Sequence, residues 1–284
     1  MTSAQERAAL VALLKTGAKP WRTYAALVEE RGSALTVLEE ELGLLASDGL
    51  AEAIADIEGW ERRGMRMLSV LDPDYPENLR AVYDRPPLVF VAGTLDPADS
   101  RSLAVVGTRA ASPAGIARTR LIAKGLAQAG YTVVSGLASG VDTEAHNTAL
   151  RCGGRTIAVI GTGLGRCYPP DNAGLQRLVA SRCAVMSQFW PHSPPSRTTF
   201  PMRNATMSGL ALGTVVVEAS ATSGARMQAR LALEHGRPVF LTQPLLEQQW
   251  ARELSDMPGT HVVRSASEIV AVVERLNCPG ALVS

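Results

Sequence analysis

Short runs of apolar residues alternate with helix-spaced apolar stripes along most of the chain. Leu103 to Val106 and Tyr131 to Val134 are nearly all apolar. Between them Ile116, Leu121, Ile122 and Leu126 recur at helical spacing until Gly130 stops the helix. Strand, helix, strand with both strands buried on two faces is a βαβ unit. The alternation continues. Helices are predicted over Val141 to Leu150, from Ala173, after Phe200, from Ser223-Gly224 to His235, and over Ala266 to Leu276. Strands are predicted at Thr156 to Ile160, Ala184 to Met186, Thr214 to Val217, Pro238 to Leu241 and His261 to Val263. The fold class expected is α/β, a doubly wound, mainly parallel sheet.

Residues 5–58 read differently. Four helical stripes (Leu10, Leu13, Leu14; Tyr24, Leu27, Val28; Leu35, Leu38, Leu42; Leu50, Ile54, Ile57) are punctuated by Gly17, Gly32, Gly43 and Gly49. The expectation is a small helical domain over residues 1–65 followed by a core domain over 66–284. Between them, Asp72-Pro73-Asp74 and Arg85-Pro86-Pro87 read as turns, Leu88 to Val91 as an extra strand at the sheet edge, and 95–100 as a linker. Thr16-Gly17-Ala18-Lys19-Pro20 stands where a helix-hairpin-helix turn would offer amides to a phosphate. It has one glycine, and residues 1–65 carry 7 Lys/Arg against 11 Asp/Glu, which favours a protein-contact module.

Composition narrows the classes. No apolar run reaches the roughly 18–20 residues of a membrane span, and MTSAQERAAL lacks a signal core, so a cytoplasmic location with no membrane partner is expected. Cys152, Cys167, Cys183 and Cys278 form no C-x-x-C pair, so neither a zinc site nor a disulfide framework is expected. The net charge is +1 overall, but residues 66–284 carry 21 basic against 16 acidic groups, and Lys124 is their single lysine. Arginine suits planar phosphate contacts and stacking on bases.

The candidate chemistry sits where the strands end, the place at which open α/β sheets bind ligands. Five strand ends, Gly107-Thr108-Arg109, Ser135-Gly136, Gly161-Thr162-Gly163, Ser187-Gln188 and Ala219-Ser220, converge on one rim, and loops add Arg197, Arg203, Asn204, Ser223 and Gly224. Gly107 and Gly136 either let backbone amides approach an anion or simply make tight turns. Arg203-Asn204 at a helix start would face the positive end of the helix dipole. The whole inventory holds phosphates and bases but breaks no bonds. Asp142 and His146, four apart, share a helix face. They read either as an acid/base pair or as a helix cap (Asp142) and a loop-fixing residue (His146); the second reading is preferred because no nucleophile or metal-ligand set accompanies them. No cofactor or metal is expected, and the glycine spacing is not that of a dinucleotide fingerprint.

GTRAASPAG (107–115) followed by SGLASGVDTEAHNTAL (135–150) resembles the DNA-processing family DprA/Smf, whose core reads G-[ST]-R, then S-G-x-A-x-G-[IV]-D-x-x-A-H. Residues 66–95 resemble its D-x-x-Y-P-x-x-L lead-in, and 161–172 its G-x-G-[LI]-x-x-x-Y-P-x-x-N. The likeness runs from about Leu10 to Leu276. Four places depart: Arg203-Asn204-Ala205 for R-N-R, Ser187-Gln188 for S-E, Gln228 where S-G-S-L-x-T-A has threonine, and Gln243-Pro244-Leu245 leading directly into LEQQWARELSDMPGT. A C-terminal winged helix is not expected. The resemblance implies a Rossmann-like core behind a SAM-like helical module. It implies a single-stranded DNA binder that loads the RecA recombinase in recombination or transformation, without catalysis. Gly107, Thr108, Arg109, Ser135, Gly136, Gly161, Gly163, Arg197, Arg203, Asn204, Ser223 and Gly224 would form its phosphate site. It also implies a homodimer, for which Leu210, Leu212, Leu231 and Leu233 could supply the surface. The altered motifs keep open a second class: a nucleotide-sensing regulator, such as the antitoxin-like partner of an operon-encoded toxin-like protein. A phosphoribohydrolase is disfavoured because P-G-G-x-G-T-x-x-E is absent.

Overall fold

The computed structural model describes residues 4–43 and 46–277; Cys278 lies outside them. The chain opens with four helices, α1 (Ala4–Thr16), α2 (Trp21–Arg31), α3 (Ala34–Leu42) and α4 (Ala46–Glu61). Their stripes bury Leu10, Leu13, Tyr24, Val28 and Leu38 in one cluster with Met67, Val70, Leu88 and Phe90 of the adjoining segment. Ile54, expected in the fourth stripe, is instead 39% exposed. Two ion pairs tie the helices to the 72–85 segment: Arg7 on Asp72 (3.0 Å) and Arg85 chelating Glu29. At the Gly17 turn, Ala18 N–H donates to Thr16 Oγ1 (3.2 Å) and Lys19 pairs with Glu41, so the turn satisfies itself.

The sheet has nine strands: β1 (Met65–Ser69), β2 (Leu88–Gly93), β3 (Ser102–Val106), β4 (Thr132–Ser135), β5 (Thr156–Val159), β6 (Ala184–Ser187), β7 (Thr214–Val216), β8 (Val239–Thr242) and β9 (Thr260–Val263). Their order is β1-β2-β6-β5-β4-β3-β7-β8-β9. The seven strands from β6 to β9 are parallel, while β2 joins β6 and β1 antiparallel. The sheet is therefore the α/β, mainly parallel Rossmann-like arrangement expected. One position needs correcting: β2 is not the edge strand, because β1 pairs outside it. Met65–Ser69 carries Arg66 and two methionines and no strand-favouring run, so only its pairing with β2 reveals it.

The connecting helices are α5 (Glu77–Arg80), α6 (Pro113–Gln128), α7 (Val141–Arg151), α8 (Ala173–Arg182), α9 (Thr199–Leu210), α10 (Gly224–Glu234), α11 (Gln249–Ser255) and α12 (Ala266–Asn277). Successive strand residues point to opposite faces. Ala104 and Val106 accordingly join the cluster beneath α9 and α10, and Leu103 and Val105 the one beneath α6, α7 and α12. Covering both faces is what makes Leu103–Val106 of β3 wholly apolar. Leu121, expected on the buried stripe of α6, turns to solvent at 73% exposure. Because β3 lies between β4 and β7, the winding reverses there, and a crevice opens at the carboxyl ends of β3 and β7.

Candidate functional site

Two adjoining cavities occupy that crevice, of about 350 Å³ and about 120 Å³. Gly107, Thr108, Arg109, Asp142, Asn204, Ser223, Gly224 and Gln228 help line the larger; Gly136, Gly161 and Tyr168 help line the smaller. Arg109, Ala138, Phe200 and Arg203 form the wall between them. The site residues read from the sequence are largely gathered here. Ser135, Gly163 and Arg197 are not. Ser135 is fully buried and its hydroxyl donates to Val105 O (2.7 Å), tying β4 to β3. Gly163 donates its N–H to Ser193 O (3.0 Å), and a Cβ there would strike the backbone of Trp190 and Pro191. Arg197 stands exposed in its loop and lines neither cavity.

The floor is a buried polar network. Arg203, on the first turns of α9, donates through Nη1 to Gly136 O (2.6 Å) and Val159 O (2.8 Å), and through Nε to Asn204 Oδ1 (2.9 Å). It thus clamps the ends of β4 and β5. Residue 136 must be glycine, since a Cβ would collide with the guanidinium. Asp142 Oδ2 accepts the N–H of Gly136 (3.1 Å) and of Ala138 (3.4 Å). Burial raises the Asp142 carboxyl above its ordinary value, and Arg203 and those amides pull it back. Burial likewise pulls the Arg203 guanidinium down, with Asp142 opposing.

Asp142 is therefore not the cap expected: Gly140 precedes α7 with no side-chain cap, and the carboxylate holds the loop before the helix. His146 does not fix that loop either. It is fully buried, and its Nδ1 lies 2.7 Å from Thr156 Oγ1 at the start of β5. Burial first, and Arg203 second, push its pKa down to about 3.

The rim is different. Arg109 is exposed, with its guanidinium 5.5 Å from the Phe200 ring centre and 5.9 Å from that of Tyr168. The two rings lie 5.7 Å apart. Among the described residues Arg109 forms no ion pair. A planar cation against two π-faces is held in place without being neutralised.

Two of the amides expected at the rim are already used. Thr108 N–H donates to Glu218 O (2.6 Å), and Gly136 N–H to Asp142. Across the cleft Ser223 caps α10, its hydroxyl accepting Ala225 N–H (3.2 Å). The altered Gln228 fits between Asn204 O (3.0 Å) and Ser208 N (3.3 Å) with its amide nitrogen toward Asn204.

Three residues of the site, Tyr168, Phe200 and Glu218, went unassigned in the sequence. Tyr168 sits in the Y-P motif, Phe200 shortly before Arg203, and Glu218 directly beyond the β7 run; those adjacencies were the available signals. Of the leucines proposed as a dimer surface, Leu210 is 3% exposed and Leu212 and Leu233 pack against core clusters of the chain, while Leu231 is half-buried and joins none of them.

The model of a family described as DNA recombination-mediator protein A matches residues 66–274. The DNA processing protein DprA of Streptococcus pneumoniae is 43% identical over 172 residues, 61% of each protein. Protein Smf of Synechocystis is 36% identical over 221 residues, 76% of this chain and 56% of its own. The chain thus spans little more than half the length of these relatives. The solved structure of S. pneumoniae DprA superposes with a TM-score of 0.75 at 32% identity, covering 92% of this chain and 95% of that one. A Helicobacter pylori DprA structure, described for its single-stranded DNA binding mode, gives a TM-score of 0.65 at 25% identity over 74% of this chain and 96% of its own. With its motifs, its sheet order and these matches in agreement, the chain belongs to the DNA recombination-mediator protein A family.

Proposed function

We propose that the cleft at the β3–β7 crevice binds single-stranded DNA. A backbone phosphate is held by Arg109 and a base stacks against Phe200 or Tyr168. The observation that carries this reading is the un-neutralised Arg109 guanidinium packed against two adjoining aromatic rings at the mouth of the cleft. Charge for the backbone beside π-faces for the bases is the combination that single strands require. Ser223 and Gly224, at the positive end of α10, line the same chamber and serve a second phosphate. Gly107, Thr108, Gly136, Gly161, Arg203 and Asn204 shape the walls.

The single-stranded DNA binding mode described for the H. pylori relative supports the reading. So does the placing of the Asp142–His146 pair: Asp142 Oδ2 accepts two loop amides, and His146 is buried away from the lining of both cavities. Binding without catalysis, in recombination or transformation, with RecA as the recipient of the strand and a homodimer as the working form, completes the proposal. Fluorescence anisotropy with a labelled oligothymidylate, its duplex and a mononucleotide tests it. The single strand should bind, more weakly as salt rises, with the duplex and mononucleotide far behind. Equal binding of all three, or none of the single strand, would refute the assignment.

A further inference from the structure

In a doubly wound sheet the helix after the first parallel strand ordinarily offers its N-terminus to a phosphate. Here that seat holds a carboxylate of the chain itself. Glu218 follows β7 on the opposite wall of the crevice, and its side chain crosses to the start of α6. Oε1 accepts the Ser112 N–H at 3.0 Å and Oε2 the Ser112 hydroxyl at 2.7 Å. The same residue's main-chain oxygen takes the Thr108 N–H at 2.6 Å. One residue therefore absorbs the main donors of the first strand–helix junction.

Gly115 makes the approach possible, because a Cβ there would run into the Glu218 carboxylate. Ser112 Oγ accepts the Gly115 N–H (3.0 Å) while donating to Glu218, so the cap and the plug are one hydrogen-bonded unit. An anion brought to this seat would meet a fixed negative charge, with the Ser112 and Gly115 donors already engaged.

We infer that Glu218 is a specificity-determining residue, an internal carboxylate that plugs the anion seat at the N-terminus of α6 and keeps nucleotide di- and triphosphates out of the cleft. Contacts with an incoming strand are thereby left to Arg109 and to the start of α10. The inference stands apart from the DNA reading, since it concerns pyrophosphate and can be measured without DNA.

Isothermal titration calorimetry with inorganic pyrophosphate on the full chain tests it. The parent should bind only marginally. Glu218→Ala frees the Ser112 N–H and hydroxyl and should bind at least about tenfold more tightly, the equivalent of one charge-assisted contact. Ser112→Ala in the Glu218→Ala background should remove most of that gain. Glu218→Ala with parent-like pyrophosphate affinity and an unchanged thermal midpoint would overturn the inference. So would a parent that already binds pyrophosphate and loses it on Ser112→Ala. Should Glu218→Ala fail to fold, Glu218→Gln keeps an oxygen for Ser112 N–H and removes the charge. A smaller gain is then expected, and no gain overturns the inference. A pyrophosphate gain in a protein that ignores single-stranded DNA would sink the proposed function and leave this inference intact.

Discussion

Arg203 and Arg109 reach the same cleft and are built for opposite purposes. Arg203 is 7% exposed and spends its donors on two strand-end carbonyls and Asn204. Arg109 is exposed, packs against two rings and forms no ion pair among the described residues. The floor arginine holds the site's shape, and the rim arginine is left for a ligand. Two residues of one type, both in motif positions, are thus separated by what their donors already bind. Substitutions on the floor should register in stability, those on the rim in affinity.

The largest effect belongs to the floor. Arg203→Ala strips the Gly136 and Val159 carbonyls of their donor and leaves Asp142 buried without its cation. Loss of one partner of a buried pair costs about 3–5 kcal/mol, which urea denaturation should report. Arg203→Lys should recover little, because an ammonium cannot span both carbonyls and Asn204. A variant as stable as the parent would dissolve the contrast between the two arginines.

The floor should also impose a pH limit. His146 has a folded pKa of about 3, below the ordinary 6.5, so the unfolded chain takes up the proton first as pH falls. Its contribution is complete above pH 6.5 and is lost progressively from there toward pH 3. Asp142, raised by burial, acts with the opposite sign as pH falls. Between pH 7 and pH 5 the parent should therefore lose about 2 kcal/mol more than His146→Gln, at 1.4 kcal/mol per pH unit once the free imidazole titrates. Parallel pH profiles would show that the buried imidazole is not the sensitive group.

On the rim, Phe200→Ala should weaken oligonucleotide binding by about 1–3 kcal/mol, the worth of one base–aromatic stack. Phe200→Tyr should keep most of it. Least affected should be Arg197→Ala, which changes an exposed side chain outside both cavities and should shift affinity by less than about threefold at moderate salt. A loss as large as that at Phe200 would extend the interface into the 191–198 loop.

Most of the sheet was legible because its strands are covered on both faces. Leu103–Val106 and Tyr131–Val134 had to be nearly all apolar, and glycine or serine had to follow where the chain turned. β1 was not, because Met65–Ser69 becomes a strand only through its pairing with β2. The site was legible as a set of positions and not as a set of roles. Arg203 and Arg109 look alike in sequence, and only the carbonyls that end β4 and β5 tell them apart. The amides of Thr108 and Gly136 looked available for the same reason. The acceptor of Thr108, Glu218, comes from another junction of the sheet, which no local spacing encodes; that of Gly136, Asp142, stands in the same β4–α7 connection.

Arg109→Ala, titrated with a single-stranded oligonucleotide across a salt series, tests the central claim most directly. Loss of one charge-assisted, bidentate phosphate contact should weaken binding by about 1.5–3 kcal/mol, or roughly ten- to a hundredfold. The slope of log affinity against log salt should become shallower by about 0.7, as for one phosphate of a single strand, while the thermal midpoint stays within a degree or two of the parent's. Arg109→Ala that binds like the parent at every salt concentration would contradict the assignment of this cleft to DNA.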